Sequence, residues 1–520
     1  MGAGLSAERP PLKRNAKPLY DRATDERNIA LRQRFNKMCT LKEIQQNWKL
    51  EAKQEDSLRY FFHVQEASEI VNGDKFYIIG RKGSGKSAIS QYLLNLNKVH
   101  AYSGYNIFTE QLTFKNFPFN ELYALENKSY TRPNQYITIW KYIIYSCVCR
   151  QMVKNQNIDS ELRKVLEQLY PPMDIKSLSR MIGSWTMNGF GGQVMGSGLD
   201  FKIERMSEFK NLSWIEKTNI LEDIIDKYID DAHYFVIFDE LDEDYGYFNT
   251  KEDREQYLFL ITSLFKAVQD VKSYFKDRKQ VVCPVVFLRD DIYLLIKDTD
   301  KNKWGDFKIS LEWDTAKLKS MLAFRISKAI DADGKVLTFD DAWHHIFTDE
   351  TMKLGANPKK RIPIFDYITL STQLRPRDYI KYLQVCAERA LQNGESKITG
   401  PTVKFVDKGF SNYLKDEMFD EVHAQLPDIQ VIFSIISQIR KWAFTIDEFK
   451  KTYLSYYKKG TVSNGNVDHV LQLLFDFSII GNMPKKRQIY YFRYTNPEAR
   501  FNFKENIVVH RGLFKALQIL

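Results

Sequence analysis

The sequence predicts an α/β fold centred on a parallel sheet, and three features predict it. Residues 75–91, KFYIIGRKGSGKSAISQ, run from an apolar strand through a glycine turn into a helix start. Two later stretches, residues 234–238 and 281–288, are apolar at nearly every position and end in charged residues. Helical periodicity fills the intervals between these runs. A strand that is apolar on both faces is buried on both, which is the pattern of a parallel sheet covered by helices.

The glycine turn carries the strongest chemical signal. Gly80, Gly85, Lys86 and Ser87 fit G-x-x-x-x-G-K-[ST], with Arg81, Lys82, Gly83 and Ser84 in the gap and Ala88 leading into the helix. Glycines let the backbone turn tightly with its N–H groups inward, and the following helix adds the partial positive charge of its N-terminus. The expectation is a phosphate cradle for ATP, with Lys86 on the β- and γ-phosphates and Ser87 holding Mg²⁺ through its hydroxyl. A second crowd of glycines, between Gly189 and Gly198, has no strand-to-helix junction and reads as a loop.

The run at residues 234–238 ends in Asp239 and Glu240. In open α/β sheets ligands bind beyond the carboxyl ends of the strands, so Asp239 is expected in the Mg²⁺ shell and Glu240 on the attacking water. The bland reading is a solvated acidic loop, which Asp242, Glu243 and Asp244 would continue. The run at residues 281–288 contains Pro284, expected at a bulge or at the strand's true start. It leads to Arg289, which either senses the γ-phosphate or pairs with the nearby acids Asp290 and Asp291.

The remaining elements follow in order. Residues 1–25 read as a mobile basic tail. Residues 26–63 have a helical pattern and, lying just upstream of the first strand, either wall the adenine or serve packing; residues 105–112 make a second strand. Residues 120–230 are largely helical, an insertion in the nucleotide unit at about 118–230. Its last helix is announced by the capping box Ser213 and Glu216 and by Leu221, Ile224 and Ile225. Residues 309–313 supply a fifth strand. From Thr315 to Met418 the pattern turns helical. Within it Pro376 suits a helix start, and Gly394 ends that helix. An arginine at a helix start opposes the dipole, so Arg377 is expected to close on an anion such as the triphosphate, or else to pair with an acid.

The chain carries 76 Lys and Arg against 66 Asp and Glu, a mild bias towards anionic partners. Five cysteines with no CxxC pair indicate neither a disulfide framework nor a zinc site, and a reducing cytosol is the simple reading. No apolar run reaches membrane-helix length, so no membrane partner is expected. The start Met1-Gly2 formally fits a myristoylation pattern, against which the basic tail argues.

Residues 426–520 read as a winged helix: helices at 429–441, 446–457 and 467–477, then a hairpin of 479–483 with 489–494. The segment holds fourteen Lys and Arg against seven Asp and Glu. DNA phosphates would be met by Lys485, Lys486, Arg487 and Arg493. The third helix presents Asp468, His469, Gln472 and Asp476, a poor set for reading bases. Packing against the nucleotide unit is the alternative use.

The stretches GRKGSGKS (80–87), FVIFDELDE (235–243), VVFLRDDIY (285–293), DKNKW (300–304) and LRPRDYI (374–380) resemble bacterial P-loop ATPases near the origin-recognition and STAND branches of the AAA+-like NTPases. The resemblance runs from about residue 50 to the C-terminus. It implies an additional-strand P-loop sheet with a large helical insertion (26–313), a helical lid (314–425) and a winged helix (426–520). It also implies Arg289 as the sensor after the fourth strand, Arg377 as the lid arginine, and a setting in anti-phage defence. No trans-acting arginine finger is identifiable, which leaves oligomerisation open.

The reading is a cytosolic, Mg²⁺-dependent, slow ATPase that switches conformation with its nucleotide and hands its signal to a separate effector protein. Its rivals are a scaffold that holds nucleotide without turnover and a DNA-binding regulator that ATP only stabilises. A small-acceptor kinase is weaker, because no acceptor site is readable.

Overall fold

The computed structural model describes residues 36–113, 134–170, 212–242, 250–355, 361–484 and 489–519. The N-terminal tail, the 189–198 glycine cluster and Lys485, Lys486 and Arg487 lie outside the described residues.

The predicted strands are β1 (Tyr77–Gly80), β2 (Ile107–Thr113), β3 (His233–Asp239), β4 (Val282–Arg289) and β5 (Lys308–Ser310). They form one parallel sheet in the order β2-β3-β4-β1-β5. Every residue of β1 and β3 is buried, as continuous apolar runs require. One face is covered by the helices at Ile137–Lys154, Trp214–Tyr228 and Lys251–Tyr274, whose Trp140, Leu221 and Leu260 join Tyr77 and Phe238 in a single core. The other face packs Ile78, Ile237 and Phe287 against Ile89 and Leu93 of the helix Lys86–Leu94 that follows the glycine turn. The capping box of Ser213 with Glu216 is formed.

Pro284 departs from expectation, since it pairs with Val236 in the middle of β4, a central strand. The register explains this. Val286 N–H donates to Phe76 O, so the nitrogen of residue 284, facing the same side, lies ahead of the first residue of β1, and no ladder donor is lost.

The N-terminal helical pattern is also corrected. The helix stops at residue 47 and residues 48–63 are irregular apart from a short turn at Ala52–Gln54. Asp56 takes the N–H groups of Leu58 and Arg59 with its carboxylate, a local turn that competes with helix. Phe61 stacks on Tyr92 and joins Ile78 and Ile237 on the second face of the sheet, while the rest of the segment reaches the helical unit. Glu55 pairs with Arg325, Trp48 lies under the same guanidinium, and Leu41, Ile44 and Trp48 share a core with Leu318, Leu322 and Leu383.

Residues 315–422 form a helical unit, with a two-stranded ribbon (β6, Thr351–Lys353; β7, Arg361–Pro363) that the helical pattern did not announce. Pro376 opens the helix Pro376–Gln392, and Gly394 with φ of 70° follows its end. The C-terminal unit has helices Ile429–Ile439, Ile446–Lys458 and Val467–Asp476 and an antiparallel sheet β8 (Ala443–Phe444), β10 (Asn506–Val509) and β9 (Ile480–Met483). The expected hairpin is present as an antiparallel Asn482–Tyr491 bridge, with backbone hydrogen bonds of 2.9 Å in each direction, and β9 makes its longer ladder with β10. The Asn482 side chain reaches further along the chain. It exchanges two hydrogen bonds with the Asn502 backbone, which draws the later segment onto β9. One apolar core runs through both the helical and the C-terminal unit.

Candidate functional site

The glycine turn leaves β1 at Gly80, where a Cβ would sit 2.5 Å from Ser84 Oγ and 2.9 Å from Leu311 Cβ. Gly83 and Gly85 have φ of 79° and 107°, left-handed values that disfavour any side chain. Lys86 begins the next helix and folds back, its Nζ donating to Gly80 O at 2.7 Å and Arg81 O at 3.1 Å. Burial pushes its ammonium below the ordinary lysine range, against the pull of Asp242, Asp290 and Asp239. Lys86, just after β1, and Asp239, the last residue of β3, both stand at the carboxyl edge of the one parallel sheet.

Asp239 ends β3 and is only 3% exposed. Its Oδ2 accepts from Gln111 Nε2 at 3.1 Å and its Oδ1 from the Glu240 N–H at 2.9 Å. Gln111 also donates to Ser90 Oγ at 3.0 Å, tying β2, β3 and the turn's helix together. Burial raises the Asp239 carboxyl above its usual range. Glu240 adopts φ of 57° and its carboxylate pairs with Lys53 Nζ. Arg289 stands at the same sheet edge, and there its guanidinium takes the ion-pair alternative, bonding Asp291 at 2.6 and 2.9 Å and lying 3.5 Å from Asp242. Burial works against its charge, but the two acids hold it on.

Arg377 is brought to the turn. Its backbone N–H reaches Gly83 O at 3.5 Å, a Cβ on Gly83 would lie 3.1 Å from Arg377 Cβ, and its guanidinium is 3.4 Å from Glu417. Lys82 is 3.5 Å from the same Glu417. Arg493 by contrast is taken up within its own unit, by Asp476 at 3.5 Å and Ala499 O at 3.2 Å.

The residues present fit a nucleotide triphosphate with a divalent cation. Buried Ser84 Oγ has no hydrogen-bond partner among the described residues, the three glycines leave a cradle that side chains would fill, and a buried carboxylate such as Asp239 calls for a cation. Among the described residues no cluster of three or more His, Cys, Asp or Glu could hold a metal alone. Mg²⁺ binds through few protein ligands plus phosphates and water. Ser87 and Asp239 are the residues that would hold it.

Sequence reasoning left the base-walling role of residues 26–63 open and missed Trp313 as its neighbour. A cavity of about 340 Å³ beside the turn is lined by Phe62, His63, Glu66, Glu312, Trp313 and Lys317. Trp313 Nε1 donates to Ser84 O at 2.8 Å, and His63 lies against Gly85. Lys53, Gln111 and Gln373 were also missed, since none sits in a motif. The one available signal was a polar Glu110-Gln111 pair inside an otherwise strand-like run.

In the parallel sheet β4 lies between the glycine-turn strand β1 and the acid-tipped strand β3. The family profile of the FunZ-associated C-terminal helical domain matches residues 316–418, the helical unit. A putative transposon gamma-delta 80.3 kDa protein of Escherichia coli (strain K12) is 22% identical over 472 residues, covering 85% of this chain and 62% of its own length. The chain thus spans less than two thirds of that relative. Among solved structures, Cdc6p from Pyrobaculum aerophilum (11% identity, TM-score 0.28) covers 88% of this chain and 93% of its own. The Aeropyrum pernix ORC2 protein in ADPNP–ADP complexes (12%, TM-score 0.36) covers 88% and 94%. Both superpositions are too loose to carry a fold assignment.

Proposed function

We propose that the chain binds ATP with Mg²⁺ at the glycine turn, hydrolyses it slowly, and uses nucleotide state to reposition a lid (residues 314–425) and a winged helix (426–520). The observation that supports this most is that Lys86, Asp239 and Arg289 stand at one sheet edge beside a three-glycine cradle, with Arg377 of the helical unit against Gly83. Positioning and electrostatics carry the chemistry of phosphoryl transfer. The turn's N–H groups and Lys86 bind the phosphates, and Ser87 and Asp239 hold Mg²⁺, which when bound neutralises phosphate charge. Glu240 orients the attacking water. Arg289 and Arg377 report the γ-phosphate, each leaving an acid partner to do so. The cavity of Phe62, His63 and Trp313 takes the base by stacking and edge contacts.

The C-terminal order of helix, strand, two helices and two strands supports the winged-helix reading. DNA contact by Lys485, Lys486 and Arg487, a separate effector and a defence setting belong to the proposal; salt-dependent DNA binding and phage plating with a Lys86→Ala allele test them. The Lys53–Glu240 pair favours a second reading, a scaffold that holds nucleotide without turnover. Titration with a fluorescent ATP analogue and single-turnover hydrolysis decide between them. Lys86→Ala should abolish binding, and Glu240→Gln should keep binding while losing hydrolysis. Unchanged binding by Lys86→Ala would sink both readings, and a wild type without turnover would leave the scaffold.

A further inference from the structure

Three of the four gap residues of the glycine turn meet the helical unit: Lys82 and Gly83 through Glu417 and Arg377, and Arg81 through Gln373. Arg81 donates to Gln373 Oε1 at 2.7 Å and to Gln373 O at 3.3 Å. Gln373 is fully buried, and its amide nitrogen donates to Phe477 O at 3.4 Å and Ser478 O at 3.2 Å, where the third C-terminal helix turns into β9, and lies 3.3 Å from Met418 Sδ. The amide's orientation is forced. Flipped, its NH₂ would face a guanidinium and its oxygen two carbonyls.

The segment around Gln373 is rigid. Asp378 Oδ2 accepts the Gln373 N–H at 2.9 Å, Arg375 is buried between Asp378 and Glu421, and His510 Nε2 is 3.2 Å from Thr372 O. One amide therefore has its oxygen on the phosphate cradle and its nitrogen on the C-terminal unit.

We infer that Gln373 is a competitor of the phosphates for Arg81, and that this competition carries the occupancy of the turn to the Phe477–Ser478 turn. The inference rests on the nucleotide-binding reading above. A guanidinium binds an anion more strongly than a neutral amide, so phosphate draws Arg81 away and Gln373 loses its donor. Its hold on the two carbonyls then loosens. Binding and release are linked reciprocally, so whatever strengthens Arg81–Gln373 weakens nucleotide binding.

The test substitutes one position in two ways in the full chain. Gln373→Ala frees Arg81 and should tighten binding of a fluorescent ATP analogue about fivefold, whereas Gln373→Glu holds Arg81 by charge and should weaken it by a similar factor, the scale of a modest coupling. Thermal melting checks that each variant is folded. A merely structural role would shift both in the same direction, and that result overturns the inference while the site stands. If the wild type binds no nucleotide, the site reading itself fails and the inference with it. As a second measure, amide exchange across residues 477–482 should speed up about tenfold with nucleotide in the wild type and not change in Arg81→Met. An equal response in both overturns the link.

Discussion

His510 joins the helical and C-terminal units with both ring nitrogens in use. It is 1% exposed, its Nε2–H donates to Thr372 O at 3.2 Å, and its Nδ1 accepts the Gly512 N–H at 3.1 Å. A second proton would set an N–H against an N–H. Burial first, then Arg375, Arg511 and Arg81, pushes its pKa down to about 3. A free histidine titrates near 6.5. Below that value the unfolded chain binds a proton that the native chain refuses. Stability from the neutral ring is thus complete above about pH 6.5 and is lost as pH falls towards 3, at about 1.4 kcal/mol per pH unit. At pH 5.5 the loss is about 1.4 kcal/mol. His510→Gln keeps a donor and an acceptor without titrating. Urea unfolding followed by tryptophan fluorescence at pH 7.5 and 5.5 should show the wild type losing that much more than the variant. Parallel losses would refute the reasoning.

Three further outcomes are expected. Arg375→Ala leaves Asp378 and Glu421 as buried charges without their shared partner and should cost about 3–5 kcal/mol, read as a lowered urea midpoint; a cost under about 1 kcal/mol would mean the acids find other partners. Gly83→Ala forces a side chain into φ of 79° and against Arg377 Cβ, and should destabilise the turn by about 1–2 kcal/mol and weaken nucleotide binding; unchanged binding by titration would deny the contact a role. Lys53→Met releases Glu240 and should raise single-turnover hydrolysis at unchanged affinity; slower hydrolysis would make Lys53 part of the machinery.

Much of the sheet was legible, because burial on both faces writes itself into the chain as continuous apolar runs, and β1, β3 and β4 fall within a residue or two of them. The glycine turn was legible too, since its left-handed residues and close approaches demand glycine at fixed spacing. Gln373 and Lys53 were not. A glutamine 292 residues from Arg81, or a lysine 187 residues from Glu240, carries no local pattern that betrays its partner. Arg289 was left between phosphate and acid by its type alone, and the distances to Asp291 and Asp242 decided for the acids in this structure.

Sequence alone determined where the chain turns tightly, which strands are buried and where carboxylates leave the sheet, because these depend on neighbours in the chain. Strand order, the pairing of β9 with β10, the place of residues 48–60 against the helical unit and the route from Arg81 to Ser478 were decided only by the tertiary structure. Each depends on which distant groups share a desolvated space, and there a buried donor must find an acceptor wherever the fold supplies one.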